Sequence, residues 1–163
     1  MIRNFSWVIP GKLAGAALPG AGAGLYGPVR EDPYLLSDLR ELRKRGIHRL
    51  VSLTDDALDF GPACRKVGLD WSYFPIPDFG IPESASQLGS LADSLSSEIA
   101  GGRAVCVHCY AGVGRTGLVL ACVVGRYYRL DGRAAIRRVR DIRQALETPE
   151  QERFVQRVLN SAG

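Results

Sequence analysis

Apolar and polar positions change period several times along this chain, and each change marks a new element. Residues 5–9 (Phe-Ser-Trp-Val-Ile) form a short β-type run that Pro10-Gly11 ends, and residues 12–17 form a second. Leu35, Leu36, Leu39 and Leu42 recur at helical spacing, which predicts a helix over residues 33–45 with Gly46 as its stop. Between these, the Gly/Ala/Pro-rich stretch from Pro19 to Pro28 has little to bury and reads as a loop. Residues 49–53 read as a strand, residues 64–67 as a helical turn, and residues 71–76 as a strand ended by Pro77. Gln87, Leu88, Leu91, Leu95 and Ile99 mark a helix closed by Gly101-Gly102. Residues 104–108 are the most apolar strand, expected at the centre of a sheet. Residues 116–130 are apolar nearly all round, so that helix should be deeply packed. Asp131 is placed to cap the next helix, and Thr148-Pro149-Glu150-Gln151 opens the last.

Strands alternating with helices predict an α/β fold, a mostly parallel sheet flanked by helices. No repeat or linker divides the chain, so residues 1–163 read as a single domain. With 46% hydrophobic and 23% charged residues, its composition is that of a soluble globular protein. No apolar run approaches the roughly 18 residues needed to cross a bilayer. The N-terminus lacks the charged-then-apolar layout of a signal peptide, which points to a cytoplasmic protein. In that setting the four cysteines are expected to be reduced. Cys106 and Cys109 have C-x-x-C spacing, but no second pair or histidine cluster completes a zinc site. The net charge of +4 suits an anionic substrate. Its late arginines, Arg126 to Arg143, read as a solvated helix surface rather than a polyanion track, so no nucleic acid is expected.

The chemistry concentrates in His108-Cys109-Tyr110-Ala111-Gly112-Val113-Gly114-Arg115-Thr116-Gly117. Following a strand and preceding a helix, this loop gathers backbone N–H groups and positive dipole into a small cup suited to a phosphate dianion. Such surroundings should lower the pKa of Cys109 and make it a nucleophile. Tyr110, Ala111, Gly112, Val113 and Gly114 supply the cradle, and Arg115 a planar fork for two phosphate oxygens. Thr116 can donate to the sulfur. His108 should point away from Cys109 along the strand pleat, which suits a residue that holds the loop.

A leaving group also needs a proton. Asp78, after Pro77 in Ile76-Pro77-Asp78-Phe79-Gly80-Ile81-Pro82, is the candidate acid and base; without the cysteine loop it would read as an ordinary turn aspartate. Gln151 is explained by its capping box, yet a glutamine near the site is also able to orient a hydrolytic water. Cys106 and Cys122 read as core residues and His48 as a surface one. Cys64 could resolve an oxidised Cys109 only if the fold joins them. Tyr110 is placed to touch an aromatic substrate.

The segment from His108-Cys109 to Arg115-Thr116 resembles the signature of cysteine-dependent protein tyrosine and dual-specificity phosphatases. Asn4-Phe5-Ser6-Trp7-Val8, Val51-Ser52-Leu53-Thr54, Ile76-Pro77-Asp78-Phe79 and Glu150-Gln151-Glu152 extend the likeness to small atypical members of that family over almost the whole chain. The resemblance implies a phosphocysteine at Cys109, Arg115 as phosphate clamp and Asp78 as acid then base. It implies no metal or cofactor, and a site open to phosphotyrosine and to phosphoserine or phosphothreonine of a protein. A monomer is expected. Arg143-Gln144-Ala145 departs from the arginine-proline-glycine often found there. Tyr110 and Val113 replace the loop lysines expected of a phosphoinositide phosphatase, and no aromatic-interleaved basic motif supports an RNA triphosphatase. A non-catalytic phosphate-binding module would not need Cys109, Arg115, Thr116 and an acid together. A nucleotide loop would need the missing Gly-Lys-Ser/Thr.

Overall fold

A computed structural model describes residues 1–20, 33–56 and 58–160. Five strands form one sheet: β1 (Ser6–Ile9), β2 (Leu13–Ala16), β3 (Ile47–Ser52), β4 (Asp70–Tyr73) and β5 (Ala104–His108), in the order β1-β2-β5-β3-β4. The β1–β2 pair is antiparallel, and β2·β5, β5·β3 and β3·β4 are parallel. Among the described residues six helices accompany them: α1 (Pro33–Lys44), α2 (Gly61–Val67), α3 (Ala85–Ala100), α4 (Gly114–Tyr128), α5 (Gly132–Arg140) and α6 (Pro149–Asn160).

Alternation along the strands sorts the core into two layers. Val51, Val105 and Val107 pack with α3, α4, α5 and α6 on one face. Leu50, Ala104 and Cys106 pack with Leu35, Leu39 and Leu42 of α1 and with α2 on the other. As expected, β5 is central and wholly buried, and α4 is buried from Gly114 to Gly125. Its carboxyl end therefore delivers residue 109 to the edge of the core, where open α/β sheets bind ligands.

Helix ends follow the capping chemistry of the sequence. Asp131 Oδ1 accepts from Ala134 N at 2.9 Å, Ser84 Oγ from Gln87 N at 3.2 Å, and Thr148 Oγ1 from Gln151 N at 3.1 Å. Two elements have a boundary three residues from expectation. α2 starts at Gly61 rather than residue 64, with proline in its first turn, where the missing N–H costs nothing. β4 ends at Tyr73, although the backbone keeps bonding to β3 and beyond through Phe74 N→Ser52 O and Ile76 N→Leu53 O. The expected loop from Pro19 lies, from residue 21 onward, outside the described residues.

Candidate active site

The loop after β5 is shaped by what holds its carbonyls. His108 Nδ1 donates to Cys109 O at 3.1 Å, Leu18 N to Tyr110 O at 3.0 Å, Asn4 Nδ2 to Ala111 O at 2.9 Å and Arg143 Nη2 to Gly112 O at 2.7 Å. Val113 O accepts from Gly117 N at 2.9 Å and Leu146 N at 3.0 Å. Each peptide plane is trans, so a carbonyl drawn one way sends the following N–H the other. The amides of residues 110–114 are thereby turned away from the side of the loop on which these five carbonyls are held. One is directly visible at its target: Gly112 N donates to Cys109 Sγ at 3.3 Å. Gly112 is also where only glycine fits. Its φ is +79°, and a Cβ would lie 2.7 Å from the backbone carbonyl of Ala16.

Thr116 Oγ1, in the first turn of α4, donates to the same sulfur at 3.0 Å, as its sequence position predicts. Cys109 is 3% exposed and so meets these donors with little competing water. Arg115, only 2% exposed, sits under the ring of Tyr110 with its Cζ 5.5 Å from the ring centroid. Its Nη1 donates to Ile76 O at 3.1 Å and lies 3.5 Å from Asp55 Oδ1, while Nη2 pairs with Asp78 Oδ1 at 3.1 Å. The structure thus joins Thr116 to Cys109 and Asp78 to Arg115, at the two ends of one loop.

Asp78 is about half exposed, and Phe79 N also donates to its Oδ1 at 3.1 Å. Gln151 is fully buried. Its Oε1 accepts from Glu147 N at 2.7 Å and its Nε2 donates to Gly80 O at 3.1 Å. Both ends of the amide are engaged, and the side chain ties the Asp78 turn to the start of α6.

His108 lies on the other side of the strand, edge-on to Phe60, as the pleat predicts. Because Cys109 O can only accept, Nδ1 carries the proton and Nε2 is left to accept from Ser52 Oγ. Trp71 Nε1 in turn donates to Ser52 Oγ at 2.8 Å. Burial, reinforced by the charge of Arg115 and opposed by the bond to Cys109 O, lowers the imidazole pKa to about 4. The neutral ring is therefore part of the folded state, whereas an unfolded chain protonates it near 6.5. Stability should be fully present above pH 6.5 and fall as pH drops toward 4, by roughly 3 kcal/mol from this group. Denaturant unfolding between about pH 7 and about pH 5 checks this: a midpoint that stays flat across that window contradicts it.

Several residues depart from their sequence reading. Cys64 lies on α2 in the α1-side layer and Cys109 in the α4-side layer, so the sheet separates them and no resolving pair forms. Burial pushes the thiols of Cys64, Cys106 and Cys122 up to about 12. His48 is half-buried, its Nδ1 accepting from Ala104 N at 3.0 Å. Arg143 is not part of a solvated face. It is buried, and its Nη1 donates to Gly15 O at 2.7 Å and Ser6 Oγ at 2.8 Å while Nη2 holds Gly112. Asp55 and Asn4 were also missed. The position of Asp55, just past β3 at the carboxyl end of a parallel sheet, was the available signal for it.

Residues 21–127 match a protein family described as polymorphic toxin system, DSP-PTPase phosphatase. The dual specificity protein phosphatase CDC14C of Symphalangus syndactylus is 26% identical over 155 residues, which span 93% of this chain and 30% of that protein. Cyclin-dependent kinase inhibitor 3 of Rattus norvegicus is 31% identical over 130 residues, 77% of this chain and 55% of its own length. The chain is thus similar to little more than half, or less, of these curated relatives' lengths. The crystal structure of Tk-PTP in the active form matches with a TM-score of 0.77 at 25% identity, covering 97% of each chain.

Proposed function

This chain belongs to the cysteine-dependent dual-specificity phosphatase family, and from that premise we propose that it is a phosphomonoester hydrolase acting on phosphoproteins through a phosphocysteine at Cys109. The observation that carries the reading is the sulfur of Cys109 accepting from both Gly112 N and Thr116 Oγ1 beside a buried arginine. Nothing in the core demands two donors on a thiol; a sulfur that carries negative charge does.

In the first step the Cys109 thiolate bonds to phosphorus as the bond from phosphorus to the leaving oxygen breaks. Protonated Asp78 gives its proton to that oxygen. The loop amides and Arg115 meet the charge on the equatorial oxygens. In the second step Asp78, now a carboxylate, takes a proton from water, whose oxygen bonds to phosphorus as the S–P bond breaks. Phosphate leaves and the thiolate returns to Thr116 and Gly112. Substrate must first displace Asp78 from Arg115, so the resting ion pair at 3.1 Å holds the arginine in place until a phosphate competes for it, and the released carboxylate takes from solvent the proton it then donates. Gln151 keeps the turn bearing Asp78 within reach.

Phosphotyrosine is the first proposed substrate group and phosphoserine and phosphothreonine the second, with the exposed Ala111 and the half-buried Tyr110 and Val113 bordering the cup. The motifs around Asn4 and Ile76 that resemble the small phosphatase VHZ (dual-specificity phosphatase 23) favour the same substrate class. Residues 1–163 act as one catalytic domain and as a monomer, in the cytoplasm, with no metal in the reaction.

Hydrolysis of an aryl phosphate in EDTA with reductant tests this, together with Asp78→Asn and Asp55→Asn. Turnover should persist in EDTA. Asp78→Asn should lose about 10²-fold or more on a poor leaving group and less on an activated one, because only the former needs the proton. No turnover by the folded, reduced chain overturns the reading. A leaving-group dependence that moves with Asp55 instead overturns the assignment of the acid.

A further inference from the structure

We propose that Asn4 is a positioning residue of the phosphate loop, holding the Gly112 N–H on the Cys109 sulfur through the Ala111–Gly112 peptide. Both halves of that one peptide are engaged. Its oxygen accepts from Asn4 Nδ2 at 2.9 Å and its N–H lies 3.3 Å from Sγ. Because C=O and N–H of a trans peptide point in opposite directions, fixing the first aims the second.

This peptide is the one in the loop most in need of an outside hold. It leads into Gly112, whose missing Cβ leaves that torsion free to rotate at low cost. The carbonyls of Cys109, Tyr110 and Gly112 are held from buried or backbone groups: His108, Leu18 N and Arg143. Asn4 alone of these four donors is an exposed side chain, and it reaches the loop across 107 positions of sequence.

The chain is arranged to place it there. Ile2 is 4% exposed, its N–H donates to Glu41 Oε2 at 2.7 Å, and Arg3 O accepts from Ala17 N at 2.9 Å. Asn4 then adopts φ +52°, a left-handed conformation that asparagine tolerates better than most side chains. That turn carries the amide over to Ala111. A surface asparagine with only a local role would have no need of either the anchored segment before it or the unusual backbone.

The effect on turnover rests on Cys109 being the nucleophile, but the effect on the sulfur does not, and the experiment separates them. Asn4→Gly keeps the left-handed backbone and removes the amide; Asn4→Asp keeps the shape and replaces the donor with an acceptor. Alkylation of Cys109 by iodoacetamide, followed by peptide mass across about pH 5 to about pH 9, reads the hydrogen bond to the sulfur without needing a substrate. The other three cysteines, with thiols pushed to about 12, do not compete in that range.

The expected result is an alkylation profile displaced toward higher pH by about half a unit in Asn4→Gly. An aryl phosphate should show kcat down about three- to tenfold, KM within about twofold and Tm within about 2 °C. A displaced profile in a native chain that has no turnover would support the role of Asn4 and sink the phosphatase reading. An active native enzyme with profiles and kcat unchanged in both variants would overturn the role of Asn4 and leave that reading standing.

Discussion

Cys109→Ser should abolish turnover, by at least about 10⁴-fold on an aryl phosphate, while the variant still binds a phosphotyrosine peptide within a few-fold of native affinity. The two halves of this expectation have separate causes. Replacing sulfur by oxygen removes the proposed nucleophile and puts in a hydroxyl, intrinsically far less acidic and less nucleophilic than a thiol; Thr116 and Gly112 still point at the atom but cannot supply the missing reactivity. The cup, by contrast, does not depend on the sulfur for its shape. Its carbonyls are held from outside by His108, Leu18 N, Asn4 and Arg143. Its amides should therefore stay aimed at a phosphate when the reacting atom changes. Calorimetric titration with the peptide, beside a steady-state assay in reductant, reads both. Turnover surviving in Cys109→Ser would remove the phosphocysteine mechanism. Loss of binding together with turnover, in a variant that melts like the native protein, would show that the sulfur helps to shape the loop.

What could be read from sequence was whatever the chemistry confines to a short segment. An apolar strand, a loop with glycines and an apolar helix follow one another between residues 104 and 128, and strand–loop–helix geometry alone then puts Thr116 on the Cys109 sulfur. His108 facing away follows from the pleat in the same way. Asp78 was legible only conditionally, since a turn aspartate after proline has no distinguishing mark until a nucleophile needs a proton donor.

The rest required the fold. Asn4, Asp55 and Arg143 reach the loop or its arginine across 107, 60 and 31 positions, and nothing local marks them. Arg143 was obscured further by its neighbours, since Arg137, Arg138 and Arg140 form an exposed face just before the chain turns inward. Gln151 was legible as a capping residue, but its side-chain partners were not. Its capping position was right, yet its side chain bonds Glu147 N instead of completing the box and spends its amide on Gly80. Cys64 shows the reverse case: thiol chemistry made a resolving role conceivable, and the two-sided sheet decided against it.

Arg115→Lys and Arg115→Met should separate what this side chain does for the reaction from what it does for the fold. Lysine keeps the charge but has one compact ammonium in place of a fork, so it can serve only some of the positions now reached by Nη1 and Nη2. Two phosphate oxygens could no longer be gripped together, and kcat/KM should fall about 10²- to 10³-fold, with KM raised as well as kcat lowered. Methionine removes the charge from a site that is 2% exposed. Removing one partner of a fully buried ion pair would be strongly destabilising, but the carboxylates left behind here are not buried, so Arg115→Met should be inactive yet melt within a few degrees of the native protein. That split is the informative result, because Asp78 and Asp55 are both about half exposed and can turn to water when their partner is lost. Steady-state kinetics with inorganic phosphate as inhibitor, alongside thermal unfolding, measures the two effects independently. A lysine variant within tenfold of native kcat/KM would mean that the phosphate is held by the amides alone. A methionine variant that fails to fold would mean that Nη1 on Ile76 O is a strut of the core, and that the clamp was built from a residue the fold already required.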